Sequence, residues 1–241
     1  DPVFSNRASP VRFAGPKRLI PPAMSLKELP RIDVITVSHN HYDHLDILSL
    51  KKLHDLNPST IFLVPKGDKK LFIRKGIKNV EEFLWWEDID IKGTKFTFTP
   101  VQHWSARGIR DRNKSLWGGW FIKSSERSLY HAGDTGYSQD FNVTRKKLGS
   151  PDMAMIPIGA YDPQWFMSYS HVNPEEAVQI SQDLGSRQSL AMHWGTFLLT
   201  DEEVLEPSVL LRKALEDKNL DKEYFMTLKP GEIFNLSQQG P

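Results

Sequence analysis

The chain has 241 residues, of which 39% are apolar and 25% are charged, a composition typical of a globular protein, and a single domain over residues 1–241 is the default prediction. The formal net charge of +1 argues against a nucleic-acid partner, because such proteins usually carry a strong basic field. There is no cysteine, which excludes disulfides, iron–sulfur clusters and thiolate ligands, so any metal must be bound by nitrogen and oxygen.

Short apolar stretches rich in β-forming residues alternate with stretches of helical periodicity. In chain order, the predicted strands are residues 32–37, 60–64, 96–99, 119–122, 153–158, 189–192, 224–228 and 232–236. The predicted helices are residues 47–56, 69–76, 174–184 and 208–217. The helix at 174–184 has a strong start signal, because Asn173 can cap it, Pro174 suits its first position and Glu176 can complete a capping box. This alternation predicts a mixed α/β fold.

The N-terminal segment and the hydropathy of the chain bear on its localisation. The opening segment DPVFSNRASPVRFAGPKR is rich in Pro, Ser and Arg and predicts an extended loop. No apolar stretch approaches the ~18–20 residues that a membrane-spanning helix needs, so we expect a chain that is soluble or peripheral to a membrane. The first residue is Asp1 rather than Met, which indicates a processed or truncated chain and leaves targeting and localisation open.

The stretch VSHNHYDHLD, residues 37–46, contains three of the eight histidines of the chain. It follows a predicted strand, where a rigid scaffold commonly presents functional side chains. His39 and His41 lie two apart in extended chain and can face one point, while Asp43 and His44 can face a second point nearby. A helix cap or a polar loop is the alternative, but three imidazoles and a carboxylate without partners would be costly. The spacing therefore favours two metal sites.

Three further candidate ligands each follow a strand-like stretch further along the chain: His103 follows FTFT, Asp134 follows SLYH and His193 follows SLAM. Zinc accepts imidazole and carboxylate where thiolates are absent, and a carboxylate can bridge two ions. The ligands assigned to the first ion are His39, His41 and His103. Those assigned to the second ion are Asp43, His44 and His193. Asp134 is predicted to bridge the two ions.

The other histidines call for separate interpretations. His54 lies within a predicted amphipathic helix and is interpreted as a surface or packing residue. His131 lies three residues before Asp134, on the strand that leads to it, and a core or supporting role is predicted for it. His171 precedes the helix at 174–184, so it is either a residue of the capping region or an active-site group.

The order H-x-H-x-D-H, His, Asp, His is similar to that of the metallo-β-lactamase superfamily. The stretches DPVFSNRASP, GPKR, SHNHYDHLD, LWGGW, AGDTGY, IPIGAYDPQWFM, HVNPEEAV and HWGTF further resemble its branch of N-acyl-phosphatidylethanolamine-hydrolysing phospholipase D enzymes, from residue 1 to about residue 234. The resemblance implies an αββα four-layer sandwich with two Zn²⁺ ions per chain. It also implies cleavage of N-acyl-phosphatidylethanolamine to an N-acylethanolamine and phosphatidic acid by attack of a metal-bound hydroxide.

The resemblance also implies roles for single residues. The seven proposed ligands all fall on family motifs, with Asp134 orienting the metal pair and His171 near the substrate phosphate, so both are candidate catalytic residues. Further candidate substrate-binding residues are Tyr42, Trp104, Arg107, Trp165 and Phe166. For the first three residues, the alternative is loop packing or a surface charge. The stretch QWFM, residues 164–167, is predicted to form a wall of the site or a membrane-facing loop, and an ordinary packed turn is the alternative.

Two departures from the family pattern follow. Members begin with a β-hairpin region before the DP segment, so we expect those N-terminal strands to be missing from this chain. Ala106 stands where the animal enzymes carry lysine, which bears on the preference for a lipid headgroup.

Two alternative functions are considered. The first is a metal-dependent hydrolase of the same fold that acts on a soluble phosphorylated sugar lactone or phosphodiester. The second is a zinc-binding protein without activity. The expected partner is a phospholipid or another phosphodiester, with peripheral membrane contact and a homodimer left open.

Overall fold

Two β-sheets occupy the centre of the structure, a computed structural model that describes residues 1–236. The first sheet consists of three parallel strands in the order β1 (Val34–Thr36), β2 (Ile61–Pro65) and β3 (Val80–Phe83). The strands of the second sheet are, in chain order, β4 (Asp88–Ile91), β5 (Thr94–Thr99), β6 (Gly119–Lys123), β7 (Ser128–His131), β8 (Met153–Pro157), β9 (Gln188–Met192) and β10 (Phe225–Met226). Their spatial order is β10-β9-β8-β7-β6-β5-β4. From β4 to β7 the neighbours are antiparallel, and from β7 to β10 they are parallel.

Residues 1–236 contain six helices. They are α1 (Ile47–Leu56), α2 (Lys69–Arg74), α3 (Asp140–Leu148), α4 (Gln164–Met167), α5 (Pro174–Leu184) and α6 (Glu206–Asp217). Of these, α1 and α2 pack on the first sheet and α3, α5 and α6 on the second. Asn173 and Glu176 form the predicted capping box at the start of α5, with the Asn173 side chain accepting from the Glu176 amide at 2.9 Å. The box satisfies amide groups that otherwise lack a partner in the first turn of a helix.

The layers follow from the alternation of side chains along β2. Phe62 and Val64 face one side of the first sheet, where they are buried with Leu50 of α1 and Phe72 of α2. Leu63 lies between them in sequence, and its side chain therefore points to the opposite face. Each of these fully buried apolar side chains stabilises the fold by roughly 1.5–3 kcal/mol.

A second cluster fills the space between the two sheets. In it, Leu63 packs with Phe98 of β5 and Trp120 of β6, all of which are fully buried. The Trp120 indole nitrogen donates to the Val37 carbonyl at 2.9 Å, which satisfies the one polar atom of that side chain and links the two sheets.

A third cluster lies on the outer face of the second sheet. The helices α3, α5 and α6 contribute Phe141, Val178 and Leu211. These side chains pack on Tyr130 of β7 and Ile156 of β8. Helices, sheet, sheet and helices therefore follow one another, and the predicted αββα sandwich is confirmed.

Several local predictions differ from the structure. The predicted strand at 232–236 is wrong, because this segment is irregular and Ile233 is exposed rather than paired in a sheet. The predicted strand at 224–228 contracts to β10. β3 and β4 were not predicted, since half of the residues in their sequences VEEF and DIDI are carboxylates, and both strands lie at sheet edges. α3 and α4 were not predicted either.

The opening segment is irregular, as predicted, and is tied to the rest of the chain by single bridges. Arg18 forms an isolated antiparallel bridge with Phe197, and the Leu19 amide donates to the Thr196 carbonyl at 2.8 Å. Among residues 1–236, every helix is too short or too polar to cross a membrane.

Candidate metal centre

The loops at one edge of the two sheets carry the candidate ligands. Thr99, the last residue of β5, pairs with Gly119, while the next residue of β6, Trp120, pairs with His131 at the end of β7. β5 and β7 therefore end side by side, and β8 and β9 end at the same edge because they run parallel to β7. The loop after β1 carries His39, His41, Asp43 and His44, and the loops after β5, β7 and β9 carry His103, Asp134 and His193.

The Asp134 carboxylate lies at the centre of this group. Its Oδ2 atom is within 4 Å of one ring nitrogen of each of five histidines. They are His44 (3.0 Å), His193 (3.3 Å), His39 (3.8 Å), His103 (3.9 Å) and His171 (3.9 Å). One buried carboxylate oxygen thus faces imidazoles from both predicted ligand sets, which is the placement that a bridging ligand requires.

The two predicted ligand sets are each compact. In the first, His41 Nδ1 lies 2.9 Å from His39 Nε2 and 3.3 Å from His103 Nε2. In the second, His193 Nε2 lies 3.1 Å from Asp43 Oδ2. Donor atoms of the first set converge within 4.8 Å of one another, and so do those of Asp43, His44, Asp134 and His193. The structure thus brings all seven proposed ligands together at one place.

His171 belongs to the same cluster. Its ring stacks on His193 with centroids 5.6 Å apart and meets His103 edge-on at 5.1 Å. His103, Asp134 and His171 also form a third group of converging donor atoms. Of the two interpretations of His171, its position favours the active-site group over a residue of the capping region.

Unpaired polar atoms in the cluster match a metal site. Within residues 1–236, Asp134 Oδ1 and His171 Nδ1 are buried and lack a hydrogen-bond partner. A buried polar atom without a partner costs roughly 1–3 kcal/mol, and more when it is charged. The nitrogen and oxygen donors of the cluster suit zinc, and cations here would satisfy these atoms. The donor set therefore fits two metal ions.

The protonation states of the cluster also match metal binding. Burial lowers the pKa of His41 to about 4, and burial, reinforced by neighbouring histidines, lowers the pKa of His39 well below its ordinary value. Burial alone would raise the pKa of Asp134, but attraction to His193 and His44 outweighs it and holds that pKa well below its usual range. Neutral imidazoles and an ionised carboxylate are the forms that bind metal ions. Burial lowers the pKa of His44 and of His193, but Asp134 and Asp43 outweigh it and raise both, so these two ligands would release a proton when a metal ion binds.

A carboxylate that was not predicted orients two of the histidines. Asp1 Oδ2 accepts from His44 Nδ1 at 2.8 Å and from the Ser38 hydroxyl at 2.5 Å. Because the Ser38 proton goes to Asp1, His39 Nδ1 donates to Ser38 Oγ, at 2.9 Å. Both rings thereby direct Nε2 into the cluster, as outer partners of metal-bound histidines commonly do. Asp1 belongs to the DP pair noted in the sequence, but its contact with His44 was not predicted, because the two residues are 43 positions apart.

The loop after β1 is also held from outside the cluster. Arg107 Nη1 donates to the carbonyl oxygens of Asn40 and Leu45, each at 2.8 Å. The guanidinium lies 4.0 Å from the centre of the Tyr42 ring, and the Tyr42 hydroxyl donates to the Arg107 carbonyl at 2.9 Å. Arg107 and Tyr42 therefore fix the path of the backbone that carries four proposed ligands. Their predicted contact with substrate stays a prediction.

The backbone near two ligands is tightly constrained. Gly133, which precedes Asp134, has a left-handed φ of +64°, and a Cβ there would lie 2.6 Å from the Ser38 Cβ. Glycine is therefore required for the turn that brings Asp134 into the cluster. His193 has a left-handed φ of 59°, a conformation costing a non-glycine residue of the order of 1 kcal/mol or more. Such strain is characteristic of functional sites.

The remaining predicted residues lie at or beside the cluster. Trp104 meets the His41 ring edge-on, with centroids 4.2 Å apart. Trp165 and Phe166 are 85% and 67% exposed on α4. The segment from α4 to His171 is bound to the cluster, because the Ser170 carbonyl accepts from His103 Nδ1 at 2.9 Å. Trp165 and Phe166 therefore belong to a segment anchored on the ligands.

The last two histidines lie outside the ligand sets. His131 Nε2 is 3.8 Å from Asp1 Oδ2, which places it behind His44 in the supporting role predicted for it. His54 packs edge-on against Phe62, with ring centroids 6.2 Å apart.

Comparison with known proteins identifies relatives of this chain. Residues 1–194 match the family model described as the beta-lactamase superfamily domain. The chain is 41% identical to N-acyl-phosphatidylethanolamine-hydrolyzing phospholipase D 1 of Caenorhabditis elegans over 99% of its own length and 70% of that protein. It is 39% identical to the mitochondrial N-acyl-phosphatidylethanolamine-hydrolyzing phospholipase D of Saccharomyces cerevisiae over 90% of its length, but spans only 47% of that relative.

A solved structure shares the fold at low sequence identity. The crystal structure of a possible metal-dependent hydrolase from Veillonella parvula covers 95% of this chain and 87% of its own, with a TM-score of 0.72 and 16% identity. At this identity the likeness concerns the fold alone.

Proposed function

The chain belongs to the beta-lactamase superfamily, among the relatives of N-acyl-phosphatidylethanolamine-hydrolysing phospholipase D, and we propose that it is a di-zinc phosphodiesterase that cleaves N-acyl-phosphatidylethanolamine. It is a metal-dependent hydrolase. The observation that carries the finer proposal is the Asp134 carboxylate, whose Oδ2 lies within 4 Å of ring nitrogens from both ligand sets.

In the proposed centre, His39, His41 and His103 would hold the first ion and Asp43, His44 and His193 the second, with Asp134 available to both. Two such ions, when bound, supply Lewis acidity that activates water at neutral pH and neutralises charge on the phosphoryl oxygens. The protein supplies the fixed geometry. Asp1 holds His44 directly and His39 through Ser38, so these ligands do not have to reorganise on binding.

The proposed reaction consumes one water. Its oxygen forms a bond to phosphorus, and the bond from phosphorus to the ethanolamine oxygen breaks. Phosphatidic acid retains the new oxygen, and the N-acylethanolamine leaves with a proton on its hydroxyl. The leaving oxygen gains negative charge as it departs, so a nearby hydrogen-bond donor accelerates the step.

His171 is the proposed donor. Burial lowers its pKa, and attraction to Asp134 only partly offsets this, so the ring is neutral at physiological pH and keeps one N–H to donate. It is the histidine of the cluster that remains after each proposed ion has received its ligands. We assign it to a phosphoryl or leaving oxygen of the substrate.

A phospholipid substrate requires an apolar approach to the centre. Trp165 and Phe166 are exposed on the segment that leads to His171, and exposed aromatic side chains of this size are unfavourable in water. We assign them to peripheral contact with the lipid surface, as a part of the site wall.

A labelled-product experiment tests the proposal. The zinc-loaded protein is incubated in water enriched in ¹⁸O with N-acyl-phosphatidylethanolamine in mixed micelles, and products are identified by mass spectrometry. We expect N-acylethanolamine and phosphatidic acid, with the label in the phosphatidic acid. Asp134→Asn should lose more than about 100-fold in rate. Changing an outer partner of a metal ligand costs up to about 100-fold, and Asp134 is itself a proposed ligand.

Other outcomes discriminate the rivals. Turnover of bis-p-nitrophenyl phosphate without lipid cleavage would favour a soluble phosphodiester or a phosphorylated sugar lactone as substrate. Failure to turn over either substrate with two zinc ions bound would favour a zinc-binding protein without activity.

A further inference from the structure

A short basic loop lies beside the metal centre. Residues 107–114, here called the basic loop, contain four basic side chains and one acidic one, whereas the whole chain has a net charge of only +1. Arg110, Arg112 and Lys114 are exposed. Positive charge is therefore concentrated on this loop within an almost neutral molecule.

The basic loop has a fixed conformation. The Asp111 carboxylate accepts from the backbone amides of Arg107, at 3.2 Å, and Gly108, at 2.8 Å. The Asn113 amide donates to the Ser105 carbonyl at 2.8 Å. The acidic residue is thus engaged by the backbone, and the loop presents its cations without an ordering cost at binding.

An apolar side chain forms the tip of the loop. Ile109 is fully exposed, between the half-buried anchor Arg107 and the exposed Arg110. Isoleucine gains nothing from this position in water, whereas burying its side chain in a lipid interface would stabilise a complex. An apolar tip flanked by cations is the chemistry of segments that enter the interface of an anionic bilayer.

The position of the loop relates it to the substrate. The Arg112 guanidinium lies 4.6 Å from the centre of the Trp104 ring, and that ring touches His41. Trp104 follows His103, and the loop begins at Arg107, close in sequence to that proposed metal ligand. Phosphate groups gathered by the loop would therefore lie next to the metal centre.

We propose that the basic loop docks the protein on anionic phospholipid bilayers, with Ile109 inserted below the headgroups and Arg110 and Arg112 paired with lipid phosphates. This inference extends the proposed function, which places the substrate in a lipid surface. It adds a preference for negatively charged membranes and a second contact point besides α4.

Sedimentation with vesicles tests the inference separately from catalysis, because the vesicles contain no substrate. Full-chain protein is mixed with vesicles of phosphatidylcholine alone or with added phosphatidylserine. We expect anionic vesicles to bind more tightly, with an advantage that shrinks as salt is raised. R110E/R112E should weaken binding to them about tenfold or more, since each basic residue near an anionic surface contributes about 1 kcal/mol.

Matched variants separate docking from general effects of charge. K70E/R74E makes the same charge change on exposed residues of α2, and should bind as the wild type does. R110K/R112K should retain most of the affinity. I109S should weaken binding about tenfold or more. Metal content and melting temperature establish that each variant is folded.

Three results would overturn the proposal. One is equal binding of the wild type to neutral and anionic vesicles. Another is a loss in R110E/R112E no greater than that in K70E/R74E. The third is an I109S variant that binds as tightly as the wild type, which would indicate a general polyanion contact rather than a lipid interface.

Discussion

At the scale of single residues, the centre depends on side chains that hold the ligands as much as on the ligands. Asp1 orients two histidines through one carboxylate, and Arg107 holds the loop between them through two carbonyl oxygens. The order of the ligands along the chain was sufficient to predict their convergence. The contact of Asp1 with His44 was not predictable, because it joins residues 43 positions apart that share no motif.

Arg107→Met tests whether this arginine positions the ligand loop or binds substrate. We expect zinc affinity, measured by competition with a chelator, to fall about 10–100-fold, the range for changes to outer partners of metal ligands. Arg110→Met is the matched control and should leave zinc affinity unchanged. A rise in KM with unaltered zinc affinity would instead support the role in substrate binding predicted from the sequence.

Asp68 provides a prediction of pH dependence. Its Oδ1 accepts from Asn40 Nδ2 at 3.0 Å and Ser115 Oγ at 2.8 Å, but burial outweighs these bonds and raises the pKa to about 6. Folding therefore favours the protonated form, and this stabilisation is present below pH ~4 and is lost as pH rises through about 6.

The measurement for Asp68 is a comparison with Asp68→Asn. The free energy of unfolding is measured in urea for both proteins. The value for the wild type minus that for the variant should fall by roughly 2–3 kcal/mol between pH 4 and pH 7.5. Parallel pH profiles for the two proteins would contradict this, because they would show that the pKa of the carboxyl group is the same in the folded and unfolded states.

At the scale of elements, local signals decided which helices and strands could be predicted. α1 and α5 have the bounds predicted for them, because each starts at a capping side chain, Asp46 or Asn173. α4 has only four residues, too few for a periodic pattern. β3 and β4 contain carboxylates, which are uncommon in strands and more typical of loops, so these strands were not predicted. The strand predicted at 232–236 has apolar residues but lies where the structure provides it with no pairing strand within residues 1–236.

α4 is the element proposed to link the centre to a lipid surface. Replacing Trp165 and Phe166 by Ser should raise the apparent KM for lipid vesicles by more than about tenfold, since each aromatic ring that leaves water contributes roughly 1.5–3 kcal/mol. Hydrolysis of bis-p-nitrophenyl phosphate should remain nearly intact. Leu56→Ser with Ile73→Ser removes exposed apolar side chains from α1 and α2 and serves as the control. Equal losses on both substrates would mean that α4 is merely structural.

At the scale of the whole molecule, the sandwich explains why one edge holds the chemistry. Two sheets packed through Leu63, Phe98 and Trp120 bring the ends of β1, β5, β7 and β9 together, so loops distant in sequence converge. A solved structure with 16% identity retains this fold. The scaffold therefore tolerates extensive change, and the substrate is determined by the loops around the centre rather than by the sandwich.

Metal stoichiometry tests the central claim most directly. The purified protein is stripped with a chelator, reloaded with zinc, freed of excess by gel filtration, and analysed for zinc and protein by elemental analysis. The account predicts close to two zinc ions per chain, because the two ligand sets and the shared Asp134 form one binuclear centre. A value close to one, or zinc content that is unchanged in Asp134→Asn, would contradict it.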